Sequence, residues 1–290
     1  MLNIIVAPNS HNPNAEKCAK KIVKYLKTQQ VEYSVYFSQL LDDIKLNVAE
    51  LFNNGETEFV VVGDDVVVNA VISGVKDLGK VKIGIVPTSK KDDFASYLNL
   101  NSNPIQAIKD ILLKNVEKID LLDVNGETVI NNVVVGASVE AFHMFSQYKI
   151  KNFLAEKYAL KKYGNTFSGI ELIIENGKNK PVKENIFELV IANGGFSLTK
   201  PVSPLSNMQD GLFNVNYTIV HSGSENKKYI KKFNRGDHIY DDETKQAWVT
   251  HIKISSPDKK IKALVDGKIC NFEEIEVSIL ENALKLYKRP

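Results

Sequence analysis

The sequence predicts an α/β region followed by a β-rich region, and three observations support this division. Over the first 115 residues, short apolar runs alternate with stretches of helical periodicity. Past Ile119 the chain changes to alternating strand patterns separated by turn residues. A length of 290 residues also suits two modest domains or one large one. We expect a linker near Leu121–Asn125, with residues 1–121 and the tail 279–290 in one domain and residues 122–278 in the other.

Each predicted element of the first region follows from its own pattern. Strands are expected where short apolar or alternating runs end at proline, glycine or charge, at Leu2–Val6, Glu32–Phe37, Phe59–Val62 and Val81–Val86. Helices are expected where apolar residues recur on one face, at Ala15–Gln29, Ile44–Asn53, Asn69–Gly74, Asp92–Leu98 and Pro104–Asn115. Apolar strands joined by helices indicate a Rossmann-like lobe with a mostly parallel sheet.

The second region is expected to form an antiparallel β-sandwich. Five β-rich segments are separated by turns: "FELVIANGG", "GLFNVNYTIV", "VTHIKISS", "KIKALVDGKI" and "EIEVSIL". One basic helical stretch, Lys149–Tyr163, interrupts them, and the tail "ALKLYKRP" is expected to return to the first domain as a last strand. Trp248, in a β-like run, and Cys18, on an apolar helix face, are both expected in the core.

Charge and cysteine usage narrow the class of protein. A net charge of +2 argues against a nucleic-acid partner. Cys18 and Cys270 lack metal-ligand spacing and indicate a reducing interior, and the five histidines are too scattered to predict a metal site. The start "MLNIIVAPNS" is unlike a signal peptide, and no apolar run reaches about 18 residues. We therefore expect a cytoplasmic protein, with a peripheral position at the inner membrane surface as the alternative.

The junction "VVVGDDVVVNAVISG" carries the most informative pattern. A strand-to-helix turn often binds phosphate, because helix N–H groups point at the ligand. This junction resembles the phosphate-binding turn of the diacylglycerol kinase and sphingosine kinase family, which is also similar to that of NAD kinases. The residues that match the family pattern are Gly63, Asp65, Asn69, Val71 and Gly74. Asp64, Val66 and Val67 stand in place of glycine, glycine and threonine.

Further segments resemble the family's motifs in the same order along nearly the whole chain. They are "IIVAPNSHNPNAEK", "IGIVPTSKKDDFASYLNL", "KIDLLDVNGETVINNVVVG", "ANGGFSLTKPVSPLSNMQDGLFNV", "RGDHI" and "ALVDGK". The resemblance implies a Rossmann-like α/β lobe and an antiparallel β-sandwich lobe with an active-site cleft between them. It also implies an ATP- and magnesium-dependent lipid kinase activity.

The resemblance assigns roles by position. The residues implied to contact the nucleotide are Gly63, Asp64, Asp65, Ser10, Ser89, Lys90, Lys91, Asp93 and Asp120. Asp65 also belongs to the implied catalytic set, and Asp210 corresponds to a structural magnesium network. The family's general-base glutamate, which removes a proton from the lipid hydroxyl, corresponds here to Lys268.

Three departures from the family pattern bear on catalysis. In the family, bare backbone approaches the phosphate at this turn. Here Asp64 adds a negative charge to the turn. Val66 and Val67 add branched side chains that would resist a positive φ. Two unit charges about 4 Å apart cost roughly 4 kcal/mol at an effective dielectric constant near 20. A protonated lysine at position 268 cannot accept a proton. The simplest interpretation of Asp64 and Asp65, as caps of the following helix, is compatible with a lost phosphate site.

The second phosphate-proximal loop has changed as well. Ser89, Lys90 and Lys91 replace glycine, threonine and glycine. The lysines either pair with Asp64, so that side chains fill the space of ATP, or bind a phosphate themselves. As a third interpretation, they belong to a solvated loop.

Three functions remain open from the sequence. The first is a lipid kinase relative with impaired or lost activity and a binding or regulatory role, for which no cofactor is expected. The second is an active ATP- and magnesium-dependent kinase of a diacylglycerol-like or sphingosine-like hydroxyl, and the third is an NAD kinase-related nucleotide-binding module. The basic segments Lys149–Lys162 and Lys227–Lys232 either contact anionic lipid or are solvated helices. A homodimer is the other partner that we expect.

Overall fold

The computed structural model describes residues 1–7, 14–89, 92–149, 153–177, 180–221, 223–257 and 260–289. The chain separates into two compact units, Met1–Leu121 with Leu280–Pro290, and Leu122–Ile279. It leaves the first unit within one long strand and returns to it within another.

The elements are numbered in chain order. The first ten are β1 (Leu2–Val6), α1 (Ala15–Thr28), β2 (Tyr33–Phe37), α2 (Leu41–Asn53), β3 (Glu58–Gly63), α3 (Asp65–Ser73), β4 (Lys82–Pro87), α4 (Asp93–Tyr97), α5 (Pro104–Leu112) and β5 (Val116–Val124). The next eight are β6 (Glu127–Val129), β7 (Asn132–Gly136), α6 (Ala137–Ser146), α7 (Phe153–Thr166), β8 (Ile170–Glu175), β9 (Val182–Ala192), β10 (Phe196–Ser197) and β11 (Lys200–Pro201). The last are β12 (Phe213–Ile219), α8 (Gly223–Phe233), β13 (Lys245–Val249), β14 (His251–Ser255), β15 (Ile261–Val265), β16 (Lys268–Phe272) and β17 (Glu274–Tyr287). Two 3₁₀ turns lie at Leu78–Lys80 and Asp237–Tyr240.

The first unit is built on one parallel sheet. Its strands follow the order β2-β1-β3-β4, and the last residues of β17 pair in parallel with β4. β1 and β3 are buried along nearly their whole length, as expected for strands covered on both faces. α1 and α5 pack on the sheet through an apolar cluster that includes Ile22, Leu26 and Ile108. The α/β lobe predicted from the sequence is therefore confirmed.

Two helices of this unit begin earlier than the pattern predicts. α2 begins at Leu41 and not at Ile44. α3 begins at Asp65, before the helical pattern at Asn69 but where the interpretation of Asp64 as a cap places its start. The valines at the start of α3 are weak helix formers. Val67 and Val68 are nevertheless buried, so tertiary packing stabilises a helix that local propensity disfavours.

The second unit is an antiparallel β structure. Its pairing order is β16-β15-β7-β9-β8-β14-β17, and β12 lies on the other edge of β9 with β13 beyond it. One face of β9 and β12 contributes Leu189, Ile191 and Phe213 to an apolar core. The opposite face packs against α8, where Tyr229 and Phe233 are buried. The sheet-rich second lobe agrees with the expectation, although α6 was not predicted as a helix.

The expected burial of Trp248 is wrong. Its side chain is 46% exposed, on β13. Among the described residues, β13 pairs only with β12, so it ends the sheet and leaves this side chain without a covering layer. The alternation that predicts a strand does not distinguish an inner strand from an outer one. Cys18, by contrast, is half-buried against the cluster of α1, and both cysteines are free.

None of the helices formed by the described residues has the length and apolar character needed to cross a lipid bilayer.

A polar network fixes the returning tail to the first unit. The Tyr287 hydroxyl donates to Glu58 Oε1 at 2.6 Å, and Lys114 Nζ lies 2.6 Å from Glu58 Oε2. Lys114 Nζ also sits 4.7 Å from the centre of the Tyr287 ring. Burial alone would raise the pKa of Glu58, but the hydrogen bonds from Lys114 and Tyr287 outweigh it and hold that pKa below its usual value.

We expect Tyr287→Phe to lower the free energy of unfolding by about 1 kcal/mol, because the half-buried Glu58 carboxylate loses a donor. Urea unfolding followed by circular dichroism measures the change. Tyr36→Phe is the control, since the described residues supply no hydrogen-bond partner for that hydroxyl. Equal stabilities of the Tyr287 and Tyr36 variants would show that the network contributes nothing to tail attachment.

Candidate active site

The turns after β3 and β4 lie side by side. Gly63 and Pro87 are opposite each other in the parallel pair, so the carboxyl ends of both strands meet at one edge of the sheet. Four aspartates follow these strand ends: Asp64, Asp65, Asp92 and Asp93. The structure thus brings together the predicted site residues Gly63, Asp64, Asp65, Ser89 and Asp93, all within the first unit.

Asp64 caps the helix whose N-terminus would otherwise face a phosphate. It is the N-cap residue of α3, and its Oδ1 accepts a hydrogen bond from the backbone N–H of Val67 at 3.2 Å. A carboxylate at this position satisfies an unpaired amide and interacts favourably with the helix dipole. These are the same amide and dipole that a phosphate-binding turn offers to its ligand. The protein's own anion therefore occupies the anion position.

The Val67 side chain fills the space beside Gly63 in the turn after β3. A Cβ on Gly63 would lie 2.6 Å from Val67 Cβ, so glycine is required here by the packing of Val67. Val67 is fully buried, whereas Val66 is 47% exposed. Both valines have helical backbone geometry within α3, and neither adopts a positive φ. The expectation that a positive φ would strain these residues is therefore wrong, because the helix begins directly at Asp65.

Asp65 joins the two turns. Its Oδ2 accepts a hydrogen bond from the backbone N–H of Phe94, in α4, at 3.1 Å. The carboxylate that would face a nucleotide or its magnesium in the family is thus engaged with the first turn of a neighbouring helix. This contact aligns the starts of α3 and α4 and makes Asp65 a structural residue of the site.

Asp92 is a functional candidate that the sequence analysis missed. It is 7% exposed, and its Oδ2 accepts a hydrogen bond from the backbone N–H of Ser89 at 3.3 Å. Burial, the hydrogen bond from Ser89 N–H that opposes it, and the charges of Asp64 and Asp93 together raise the pKa of Asp92 to about 6. In the sequence, the only indication of a role for Asp92 is its position in a pair of aspartates at the start of a helix. Such a pair is typical of a helix N-terminus and gives no information on burial.

Three features of the described residues bear on whether these turns could hold a magnesium–nucleoside triphosphate complex. The Val67 and Phe94 amides, which could donate to phosphate, already donate to Asp64 and Asp65. The cavity beside β4, lined by Pro87, Ser89, Ser96, Asn99 and Ser102 among others, measures about 280 Å³, below the range of about 300–1,000 Å³ common for ligand sites. Across the described part of the chain, no group of three or more acidic, histidine or cysteine side chains is placed to hold a metal ion.

The remaining nucleotide-site predictions divide into two groups. Ser10, Lys90 and Lys91 lie outside the described residues, so the pairing of a lysine with Asp64 stays a prediction. Asp120 is buried in the middle of β5, where its Oδ1 accepts a hydrogen bond from the backbone N–H of Asn282 at 2.7 Å. Asn282 has a φ of 51°, so this contact holds an unusual bend in β17. Asp120 is thus placed with the tail and not with the four aspartates.

In the second unit, the "VDGK" motif forms a hairpin turn. Asp266 and Gly267 have φ values of 44° and 80°, the signs required at both central residues of a type I′ turn between β15 and β16. The Asp266 carboxylate accepts three backbone hydrogen bonds, from Ile130, Asn131 and Asn132, at 2.8 to 3.1 Å. Lys268, at the general-base position, is the exposed first residue of β16.

Asp210 also has a local role. Its side chain is exposed, and Oδ1 accepts a hydrogen bond from the backbone N–H of Leu212 at 3.0 Å, which shapes the turn before β12.

His238 of the "RGDHI" motif is fully buried, and its Nε2 lies 3.1 Å from the carbonyl oxygen of Val202. Its pKa is lowered to about 4 by burial, so it is neutral at pH 7.

We expect the stability difference between Asp92→Asn and the wild type to depend on pH. The folded protein binds the Asp92 proton more tightly than the unfolded chain, whose pKa is near 3.8. The wild type should therefore lose stability as pH rises from about 4 to about 6, whereas the variant has no group to ionise there. The variant's advantage in free energy of unfolding should grow through this window by at most about 3 kcal/mol.

Urea unfolding at a series of pH values between about 4 and 8 measures this difference. Asp43→Asn, at an exposed position of α2, is the matched control and should show no such trend. A flat difference for Asp92→Asn would mean that this carboxyl group is not desolvated in the folded protein.

Comparisons with known proteins agree with the fold and the motif order. Residues 1–124 match the model of the diacylglycerol kinase catalytic domain. A protein named "Putative lipid kinase SH2167" from Staphylococcus haemolyticus is 27% identical over 93% of this chain and 90% of its own length. A protein of Staphylococcus carnosus named "Diacylglycerol kinase" is 23% identical over 81% of this chain and 78% of its own length.

Solved structures show the same architecture. A crystal structure of a putative diacylglycerol kinase from Bacillus anthracis aligns with a TM-score of 0.79 at 17% identity, covering 100% of this chain and 97% of that one. An NAD kinase from Archaeoglobus fulgidus, solved in complex with ATP, aligns with a TM-score of 0.53 at 13% identity, covering 100% and 94%. The domain match over residues 1–124 and the names of the relatives make this chain similar to diacylglycerol kinase-like lipid kinases, and the solved structures share its fold.

Proposed function

We propose that this chain is a family member with impaired or lost kinase activity that acts through binding or regulation. The observation that carries the proposal is the Asp64 carboxylate at the N-terminus of α3, hydrogen-bonded to Val67 N–H at 3.2 Å. A triphosphate would have to displace a covalently attached anion that is already in contact. It would then meet the charges of the neighbouring aspartates, which makes binding unfavourable.

The chemical step is affected independently. Phosphoryl transfer to a lipid hydroxyl depends on a residue that orients the nucleophile and accepts its proton. Lys268 at that position is exposed and begins a strand. Asp65, the retained carboxylate, is hydrogen-bonded to the amide of Phe94. Impaired nucleotide binding and impaired proton transfer thus involve different residues in different units.

An active ATP- and magnesium-dependent lipid kinase is the second candidate. The names of the relatives favour it, as do the retained Asp65 and Asp93. Magnesium bound with ATP would neutralise part of the acidic charge. For this function, Asp64 and Asp65 would have to give up their amide partners on binding. The third candidate, an NAD kinase-related module, has less support because that structural alignment scores 0.53 against 0.79.

The partner that we propose is an anionic lipid surface, which would place a cytoplasmic protein at the periphery of the inner membrane surface. α7 and α8 pack together, with Gly164 against the Ile230 side chain. Lys161 and Lys162 are exposed on α7 beside Tyr158. The exposed lysines of α8 are Lys227, Lys228, Lys231 and Lys232, of which Lys232 is paired with Asp241. Two basic segments far apart in sequence therefore form adjoining helices, which suits headgroup phosphates.

We expect millimolar ATP with Mg²⁺ to leave the melting temperature of the wild type unchanged, because a ligand stabilises a protein only if it binds the folded state. Differential scanning fluorimetry measures the shift, and a catalytically active diacylglycerol kinase serves as the positive control. A clear shift together with phosphate transfer to diacylglycerol would establish the second candidate in place of the first.

We expect the combined variant Asp64→Gly, Val66→Gly and Lys268→Glu to gain an ATP-dependent shift, because it frees the α3 amide and restores the family's pattern. Asp64→Asn distinguishes the effect of the negative charge from the effect of the occupied amide, since it removes the charge and keeps a capping oxygen. Should both variants behave as the wild type does, neither Asp64 nor the replaced glycine explains the absence of nucleotide binding.

We expect Lys227→Ala, Lys228→Ala and Lys231→Ala together to reduce binding to phosphatidylglycerol-containing vesicles by roughly 10- to 100-fold, at about 1 kcal/mol per basic residue near the surface, discounted for salt. Vesicle sedimentation measures binding. The control is the triple alanine variant of Lys17, Lys21 and Lys24, which removes the same charge from the exposed side of α1. Equal losses in both triple variants would show a non-specific effect of net charge.

A further inference from the structure

Leu205, Tyr240 and Trp248 are among the large apolar side chains that are exposed on the second unit. Tyr240 is 75% exposed at the end of a 3₁₀ turn, Leu205 is 48% exposed in the loop before β12, and Trp248 is 46% exposed on β13. They come from separate elements, so local sequence does not explain them together. Exposed apolar groups of this size are informative when they share one surface.

Strand register places Trp248 on the face that α8 covers. Trp248 lies opposite Asn214, and Asn214 lies opposite Ala192. Directly opposed residues of antiparallel strands point to the same face of a sheet. Ala192 belongs to the cluster that contains Tyr229 and Phe233 of α8. Trp248 is therefore beyond the edge of this covered region, on its exposed margin.

Hydrogen bonds attach the segments that carry Tyr240 and Leu205 to the same face of the sheet. Gln246, two residues before Trp248, donates from Nε2 to the carbonyl oxygen of Ile239 at 2.6 Å, which holds the turn that ends at Tyr240. Asn216, opposite Gln246 on β12, donates from Nδ2 to Ser203 Oγ at 2.9 Å. This bond anchors the loop that carries Leu205.

We infer that Leu205, Tyr240 and Trp248 form an apolar anchor that enters the interface of an anionic phospholipid bilayer. Tyrosine and tryptophan suit this environment, because one end of each ring is apolar and the other donates a hydrogen bond. The anchor adjoins α8, whose exposed face carries Lys227, Lys228 and Lys231, so cations accompany the apolar groups. The inference rests on the proposed lipid-surface contact and names the residues that would penetrate the bilayer.

The charges around the anchor are mixed. Asp237, Asp242 and Glu243 are exposed near Tyr240. Asp241 is neutralised by Lys232, 2.6 Å away, and His221 Nε2 lies 3.3 Å from Glu243. Net charge on this segment is therefore insufficient to attract a membrane by itself. Apolar insertion must supply part of the affinity, and that part should persist at a salt concentration that screens the lysines.

Trp248 is the chain's single tryptophan, so its fluorescence reports the anchor without any substitution. With vesicles of equimolar phosphatidylglycerol and phosphatidylcholine, its emission should shift to the blue. Brominated phosphatidylcholine in the same vesicles should quench that emission. Without vesicles, emission should remain that of a partly exposed indole at every protein concentration tested.

The affinity of variants for vesicles tests the contributions of Leu205 and Tyr240. Leu205→Ser and Tyr240→Ser should each weaken vesicle binding by roughly tenfold, the equivalent of losing about 1.4 kcal/mol of apolar contact. Tyr240→Trp should restore binding. Leu46→Ser is the matched control, since Leu46 is 68% exposed on α2 in the first unit. Melting temperatures of all variants establish that each protein is folded.

The outcomes distinguish the anchor from the broader lipid contact. Vesicle binding without a blue shift or quenching overturns the anchor and leaves the contact through α7 and α8 standing. No vesicle binding by the wild type overturns both. A blue shift that appears with protein concentration alone, alongside a dimer mass in light scattering, would show that this face binds a second copy of the chain and would overturn the anchor.

Discussion

The hydrogen bond between the Asp64 carboxylate and the Val67 amide completes the N-terminus of α3. A strand-to-helix turn presents unpaired N–H groups and the positive end of a dipole, and these must be satisfied by something. In a nucleotide-binding turn the partner is a phosphate, which requires bare backbone nearby. Here the partner is supplied by the chain. The turn is complete without a ligand, and α3 starts at Asp65 for that reason.

Other family signatures are retained where they hold the fold together. Asn125 and Gly126, with φ values of 52° and 85°, form the type I′ turn between β5 and β6. Gly136 allows α6 to start close to β9, because a Cβ there would lie 2.3 Å from the carbonyl oxygen of Phe187. Asp266 accepts the amides of residues 130–132. None of these contacts requires a substrate, so each preserves the architecture whether or not the site is active.

Much of the fold and part of the site could be predicted from the sequence. β1 and the caps of α3 follow from local patterns, and the adjacency of the Asp64 and Asp93 turns follows from parallel pairing. The burial of Asp92 could not be predicted, because it depends on packing between two turns distant in sequence. The exposure of Trp248 depends on which strand ends the sheet, and alternation carries no information on strand order. The packing of α7 on α8 is a tertiary contact between segments distant in sequence, so it could not be predicted either.

The residues that match the lipid kinase motifs and the residues that depart from them have different structural positions. Motifs of an enzyme family contain positions that shape loops and positions that contact reactants. Asp120 and Asp266 are of the first kind, since each accepts backbone amides inside its own unit. Residues 64 and 268 are of the second kind in the family, and both are replaced. Because loop-shaping contacts do not depend on catalysis, a motif match is stronger evidence for common architecture than for a common activity.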